Sequence, residues 1–244
     1  MSEIELIVPD WPAPGNIHAC ATTRVGGVSE QEFSSLNLAG HVGDSDENVA
    51  ENRKRLRDVA GLPAEPRWLN QVHGNQVADF ASAPMPDSAD AAVSSEPGQV
   101  CTILTADCLP ILLCSADGAQ VGAVHAGWRG LAGGVIEATL EMMSHDGRKL
   151  LAWMGPAIGP AAYQVGAEVR QVFVERSQAN GILFADDGPG HWRADLHGLA
   201  RRLLEAHGVE VFGGGFCTCS DSRRFFSYRR DGRCGRQASL IWLE

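Results

Sequence analysis

The sequence predicts an α+β fold with α/β-like character: a single domain spanning residues 1–244, with a large mixed β-sheet and flanking helices. Short Val-, Ile- and Leu-rich runs recur from one end of the chain to the other, with fewer and longer amphipathic stretches between them. No repeat, low-complexity tract or domain-length linker interrupts the pattern, and 44% hydrophobic content over 244 residues can bury a substantial core.

The elements follow in order. After a loose start containing Pro9, Pro12 and Pro14, residues 17–22 read as the first strand. Residues 45–60 form a largely charged helix with Val49, Leu56 and Val59 on its apolar side and Gly61 as its C-terminal stop. A second loose stretch, residues 81–86, precedes strands expected at 100–104, 110–114 and 120–125. Residues 131–143 read as one apolar helix and 150–154 as a strand. Residues 195–207 form an amphipathic helix with Leu196, Leu199, Leu203 and Ala206 inward, and a strand over 238–243 closes the chain.

Composition narrows the function. A formal net charge of −10 argues against a broad nucleic-acid surface, so an anionic ligand has to be held locally. The N-terminus opens with acidic residues and reaches Pro9 without a secretory pattern, and no run approaches the ~18 apolar residues of a membrane span. A cytoplasmic protein is expected. Seven cysteines without regular spacing fit free thiols in that compartment.

Three segments place a potential ligand at or beside a strand end: Gln71-Val72-His73-Gly74, Thr105-Ala106-Asp107-Cys108 and Val124-His125-Ala126-Gly127. Two imidazoles and a thiolate suit Zn²⁺, and three protein ligands leave its fourth position open, which marks a catalytic rather than a structural site. Asp107 and Gly127 are poor strand packers and suit sharp loops that present polar groups.

These segments, together with residues 22–29 (Thr-Thr-Arg-Val-Gly-Gly-Val-Ser), 35–38 (Ser-Leu-Asn-Leu), 155–160 (Gly-Pro-Ala-Ile-Gly-Pro) and 225–230 (Phe-Phe-Ser-Tyr-Arg-Arg), resemble the successive motifs of one family. It is the laccase-domain family, also called the polyphenol oxidase or peptidoglycan editing factor family, whose members are described as purine nucleoside phosphorylases. The resemblance implies that His73, Cys108 and His125 bind zinc. It also implies phosphorolysis of adenosine, inosine and methylthioadenosine, with deamination of adenosine. The implied fold is similar to the catalytic fold of the cytotoxic necrotizing factor toxins. One departure is visible: where many relatives carry Cys-Cys-Tyr-Glu, this chain has Ala161-Ala162-Tyr163-Gln164, and Gln164 cannot act as an acid or base.

For deamination, Asp107 is the carboxylate nearest a ligand in sequence and is read as the proton shuttle, the alternative being that it only orients its loop. Phosphorolysis needs a phosphate cradle, for which guanidinium groups serve. Arg24, Arg129 and the cluster Arg223, Arg224, Arg229, Arg230, Arg233 and Arg236 are the candidates, while Tyr228 offers a stacking face and Asn37 and Gln71 polar contacts. The other six histidines, including His41, receive no role.

Three rivals stand beside this reading. A copper phenol oxidase, with Cu²⁺ in place of Zn²⁺, is disfavoured because the chain has eight histidines and no His-x-His pair. A cysteine hydrolase or amidase, with Cys108 as nucleophile and His125 as base, would fit editing of peptidoglycan precursors but leaves His73 unused. A binding module with structural zinc needs a fourth protein ligand that the motifs lack. The expected partners are purine nucleosides and phosphate, with no nucleic acid and no membrane, and the chain is expected to be a monomer or weak homodimer.

Overall fold

The computed structural model describes residues 3–82, 85–143 and 149–244. Strands β1 (Leu6–Ile7) and β2 (Ile17–Thr22) lead to helix α1 (Asp46–Ala60), followed by the short strands β3 (Arg67–Trp68) and β4 (Val77–Asp79). Four strands then run almost without pause: β5 (Ala91–Ser94), β6 (Val100–Thr105), β7 (Leu109–Ser115) and β8 (Val121–Ala126). Helices α2 (Trp128–Ala132) and α3 (Val135–Met143) precede β9 (Leu150–Met154), β10 (Gln164–Gly166) and α4 (Ala167–Arg176). The chain finishes with β11 (Phe184–Asp186), β12 (His191–Ala194), α5 (Leu196–Ala206), β13 (Glu210–Gly213), α6 (Tyr228–Asp231) and β14 (Gln237–Leu243).

The α+β class holds, but the strands form several mixed sheets instead of one large one. A five-stranded sheet runs β1-β2-β14-β6-β3, a six-stranded sheet β13-β9-β7-β8-β5-β4, and a small one β10-β12-β11. Side-chain alternation along each strand stacks the two large sheets. On β7, Leu112 and Cys114 join Ile103 of β6 and Ile241 of β14 in a core between the sheets, while Ile111 and Leu113 meet α3 and α5 on the opposite face. Leu104 and Leu240 point the other way from the five-stranded sheet, toward Leu56 of α1. Strands covered on both faces read as continuous apolar runs, and their sequence therefore cannot reveal that there are two sheets.

The helices show where local signals were sufficient. Ser45 caps α1 by accepting the Asn48 N–H, and Gly61 ends it in the left-handed conformation at φ 61°. Its buried side is Val49, Asn52 and Leu56, while Val59 is exposed, contrary to expectation. Asn52 points inward because it knits three loops: its amide donates to Ser29 Oγ and to the carbonyls of Ser35 and Asn37, and its oxygen accepts the Val28 N–H. The helix expected over 131–143 is broken at Gly133-Gly134, with Gly134 at φ 90°. Asp195 caps α5, whose inward residues are Leu196, Leu199 and Leu204, with Ala206 outward. Part of the loose stretch 81–86, and His145, lie outside the described residues.

Candidate metal centre

The chain crosses from the five-stranded to the six-stranded sheet between the end of β6 and the start of β7, and Cys108 sits in that crossing. Asp107 takes φ 96° there, a conformation that costs an L-residue about 1–3 kcal/mol and persists only when surrounding bonds enforce it. Those bonds are present. The Asp107 carboxylate accepts the Thr218 hydroxyl at 2.6 Å and the Arg229 N–H at 2.6 Å, and its carbonyl accepts the Ile158 N–H at 2.9 Å.

Asp90, fully buried just ahead of β5, organises both histidines. One carboxylate oxygen accepts His125 Nδ1–H at 2.7 Å and the His73 N–H at 2.8 Å; the other accepts the N–H groups of Gly74 at 2.7 Å and Val72 at 3.1 Å. The backbone N–H of His125 donates to the Asp90 carbonyl at 2.7 Å. This grip holds His73 at φ 61° and fixes His125 with a proton on Nδ1, leaving Nε2 to face Cys108. Burial alone would raise the Asp90 pKa, but the hydrogen bonds from His125, Gly74 and Val72 outweigh it and hold the carboxyl below its ordinary range.

The donor atoms of His73, Cys108 and His125 lie within 4.8 Å of one another. Cys108 Sγ stands 3.8 Å from His73 Nε2, and the two imidazoles meet edge to face with centroids 4.7 Å apart. Burial opposes the Cys108 thiolate, yet His125 and His73 draw the thiol pKa well down; burial likewise opposes charge on His125, and Cys108 and Asp90 draw it up. Gly127 makes the cluster possible. A Cβ there would lie 2.9 Å from Cys108 Sγ and 3.2 Å from His73 Cδ2.

Two imidazole nitrogens and one thiolate, one histidine oriented by a carboxylate, form a donor set that can hold a transition metal. The triad opens onto a cavity of about 440 Å³, large enough for a small organic molecule.

Comparison with known proteins gives the family. Residues 18–244 match the family described as multi-copper polyphenol oxidoreductase laccase. The chain belongs to this family. It is 52% identical over 240 residues to a Pseudomonas aeruginosa protein named purine nucleoside phosphorylase PA4543, covering 98% of each chain. It is 48% identical to purine nucleoside phosphorylase YfiH of Escherichia coli, covering 98% of this chain and 99% of that one. The crystal structure of Neisseria meningitidis protein NMB0706 superposes with a TM-score of 0.91 at 43% identity, covering 98% and 99% of the two chains.

Within this family member, four of the six residues expected to bind substrate line the cavity: Gln71, Arg129, Tyr228 and Arg229. The Gln71 amide is already committed to the Leu104 backbone, donating to its carbonyl at 2.9 Å and accepting its N–H at 2.8 Å. Arg24 and Asn37 do not line the cavity. Arg24 donates to the carbonyls of Ser34 and Ser222 and lies over Phe226, and buried Asn37 bonds Ala39, Asp44 and the Arg236 N–H. Both motifs are scaffold, because a loop without regular pairing needs side chains to satisfy its backbone.

The arginine cluster divides in the same way. Arg224 pairs with Glu5, Arg230 with Asp231 and Arg233 with Glu32, whereas Arg229 and Arg236 reach the cavity. Gln164 turns its amide onto Asp187, away from the metal ligands, and offers only its carbonyl to Arg229. Sequence reasoning missed Asp90, Thr218, Tyr163 and Trp128. Asp90 left one signal, a lone carboxylate heading an apolar run, but the partners of its side chain are 16 to 35 residues distant and invisible to local pattern.

Proposed function

We propose that the chain is a zinc-dependent purine nucleoside phosphorylase, converting adenosine, inosine or methylthioadenosine with phosphate to the free base and a sugar 1-phosphate, and that it also deaminates adenosine. The observation that carries this reading is the convergence of His73, Cys108 and His125 in a cavity that is also lined by three arginines, Arg129, Arg229 and Arg236. Names of the relatives at 52% and 48% identity support the phosphorylase assignment. Zinc, once bound, would supply Lewis acidity and charge stabilisation at a substrate oxygen.

The chain's own groups do the rest. Asp90 keeps the His125 proton on Nδ1 and the His73 loop in place. The Arg129 guanidinium, stacked over Trp128, makes no ion pair among the described residues and is available to phosphate. Arg229, anchored to the Gln164 carbonyl beside Tyr163, is the second such group. Tyr228, 62% exposed at the cavity wall, offers an aromatic face to the base. Asp107, with both carboxylate oxygens engaged, fits orientation of the Cys108 turn better than proton shuttling.

This reading takes residues 1–244 as one catalytic unit, similar in fold to the cytotoxic necrotizing factor toxins, acting in the cytoplasm as a monomer or weak homodimer. Copper is the less fitting metal, since the chain lacks the His-x-His pairs that build copper clusters. A second reading has a specific observation behind it: Cys108, His125 and Asp90 stand in the order of a nucleophile, base and orienting acid. His73→Ala separates the two. Zinc analysis coupled to chromatography of adenosine with and without phosphate should show metal and base release lost together; full turnover by metal-free His73→Ala protein would sink the zinc mechanism and make Cys108 the nucleophile to test.

A further inference from the structure

The cavity has a second cationic wall that the metal ligands do not use. Register brings it together: Thr105 at the end of β6 pairs with Gln237 at the start of β14, which sets Arg236 beside it, and the Leu38 N–H donates to the Arg236 carbonyl, drawing in the loop that carries His41. Thr105, His41 and Arg236 all line the cavity.

Three features mark this wall as built for a ligand. Thr105 is 2% exposed, and its hydroxyl has no hydrogen-bond partner among the described residues. The hydroxyl oxygen has almost no accessible surface of its own, so a ligand acceptor would recover the cost of leaving it unpaired, about 1–3 kcal/mol, only when the Thr105 side chain turns about χ1 toward the cavity. Arg236 donates through one terminal nitrogen to the carbonyls of Cys234 and Gly235, which fixes the guanidinium, and no carboxylate pairs with it among the described residues. Partial burial, with the charges of Arg236 and Arg53 nearby, holds the His41 imidazole below its ordinary pKa, and an anion would relieve the crowding of those cations. The nearest carboxylate on the cavity wall, Asp107, is occupied by Thr218 and Arg229.

We propose that Thr105, His41 and Arg236 form a phosphate subsite in this cavity, filled either by inorganic phosphate or by the 5′-phosphate of a nucleotide. The choice of nucleoside ligand rests on the function proposed above; the anion chemistry does not. One cavity then holds a metal end for the reacting sugar and a cationic wall for a phosphate group.

Calorimetric titration of the zinc-loaded protein with inorganic phosphate, with adenosine 5′-monophosphate and with adenosine tests this. His41→Gln replaces an exposed side chain that has no hydrogen-bond partner among the described residues, so the fold should be preserved; Arg236→Gln removes the fixed guanidinium. Each variant should weaken at least one anion about tenfold or more while adenosine changes less than twofold. Loss confined to inorganic phosphate assigns the wall to the free ion, and loss confined to the monophosphate assigns it to a nucleotide. Unchanged binding of both anions in both variants, or no anion binding by the unmodified protein, overturns the subsite. Failure of the phosphorylase reading is seen separately, as absence of phosphate-dependent base release.

Discussion

Replacing Asp90 by Asn keeps the volume and removes one acceptor oxygen, and the consequence can be worked from the four bonds it holds. The carboxylate accepts two donors on each oxygen, from His125 and His73 on one side and from Gly74 and Val72 on the other. Whichever way the new amide turns, its NH₂ faces two N–H donors that cannot bond it. An unsatisfied buried donor costs about 1–3 kcal/mol, so the pair costs about 2–6 kcal/mol, partly relieved where the exposed His73 loop shifts to meet water. In either orientation the negative charge beside His125 Nδ1 is lost, which makes the imidazole a weaker donor to the metal, so zinc affinity should fall about 10- to 100-fold. Urea denaturation reads the first quantity and competition with a chromophoric chelator the second. An Asp90→Asn variant with unaltered midpoint and unaltered zinc affinity would refute the claim that Asp90 orients the site.

Three further substitutions examine other parts of the structure. Gly127→Ala places a methyl 2.9 Å from Cys108 Sγ and should weaken metal binding at least tenfold while circular dichroism stays unchanged; intact zinc stoichiometry and affinity would show that the three donors do not need this close approach. Asp107→Asn can still accept the Arg229 N–H and bond the Thr218 hydroxyl, so turnover should remain within about tenfold; a loss beyond a hundredfold in deamination alone would restore Asp107 as the proton shuttle. Buried His197 has its pKa pushed below the ordinary 6.5 by burial, so the unfolded chain binds its proton first as pH falls. Its contribution to stability is full above pH 6.5 and is lost as pH drops through the lower folded value. His197→Gln should flatten the urea midpoint between about pH 7.5 and 5.5, and an unaltered slope would count against this assignment.

Local chemistry was legible wherever a few neighbouring residues decide the outcome. Strand β2 and strand β9 begin and end where their apolar runs do, and Ser45, Gly61 and Asp195 mark helix ends through bonds made within four residues. The break between α2 and α3 was written as Gly133-Gly134 but was masked by the apolar residues on either side. His73, Cys108 and His125 were recognisable as donors because residue type alone limits which metals they suit.

What only the tertiary structure decided is which distant groups meet. An apolar strand carries no label for the sheet it joins, so the split into two stacked sheets, and the crossing at Cys108 between them, follow from pairing across the whole chain. Asp90 became the keystone because register set it against β8 and folded the 72–74 backbone onto its carboxylate. Arg24 and Asn37 looked like ligand contacts but bond loop groups outside the cavity, while His41 and Thr105, to which the sequence assigned no role, line it. A polar side chain takes its role from whichever partner folding brings within about 3 Å, and sequence order does not encode that distance.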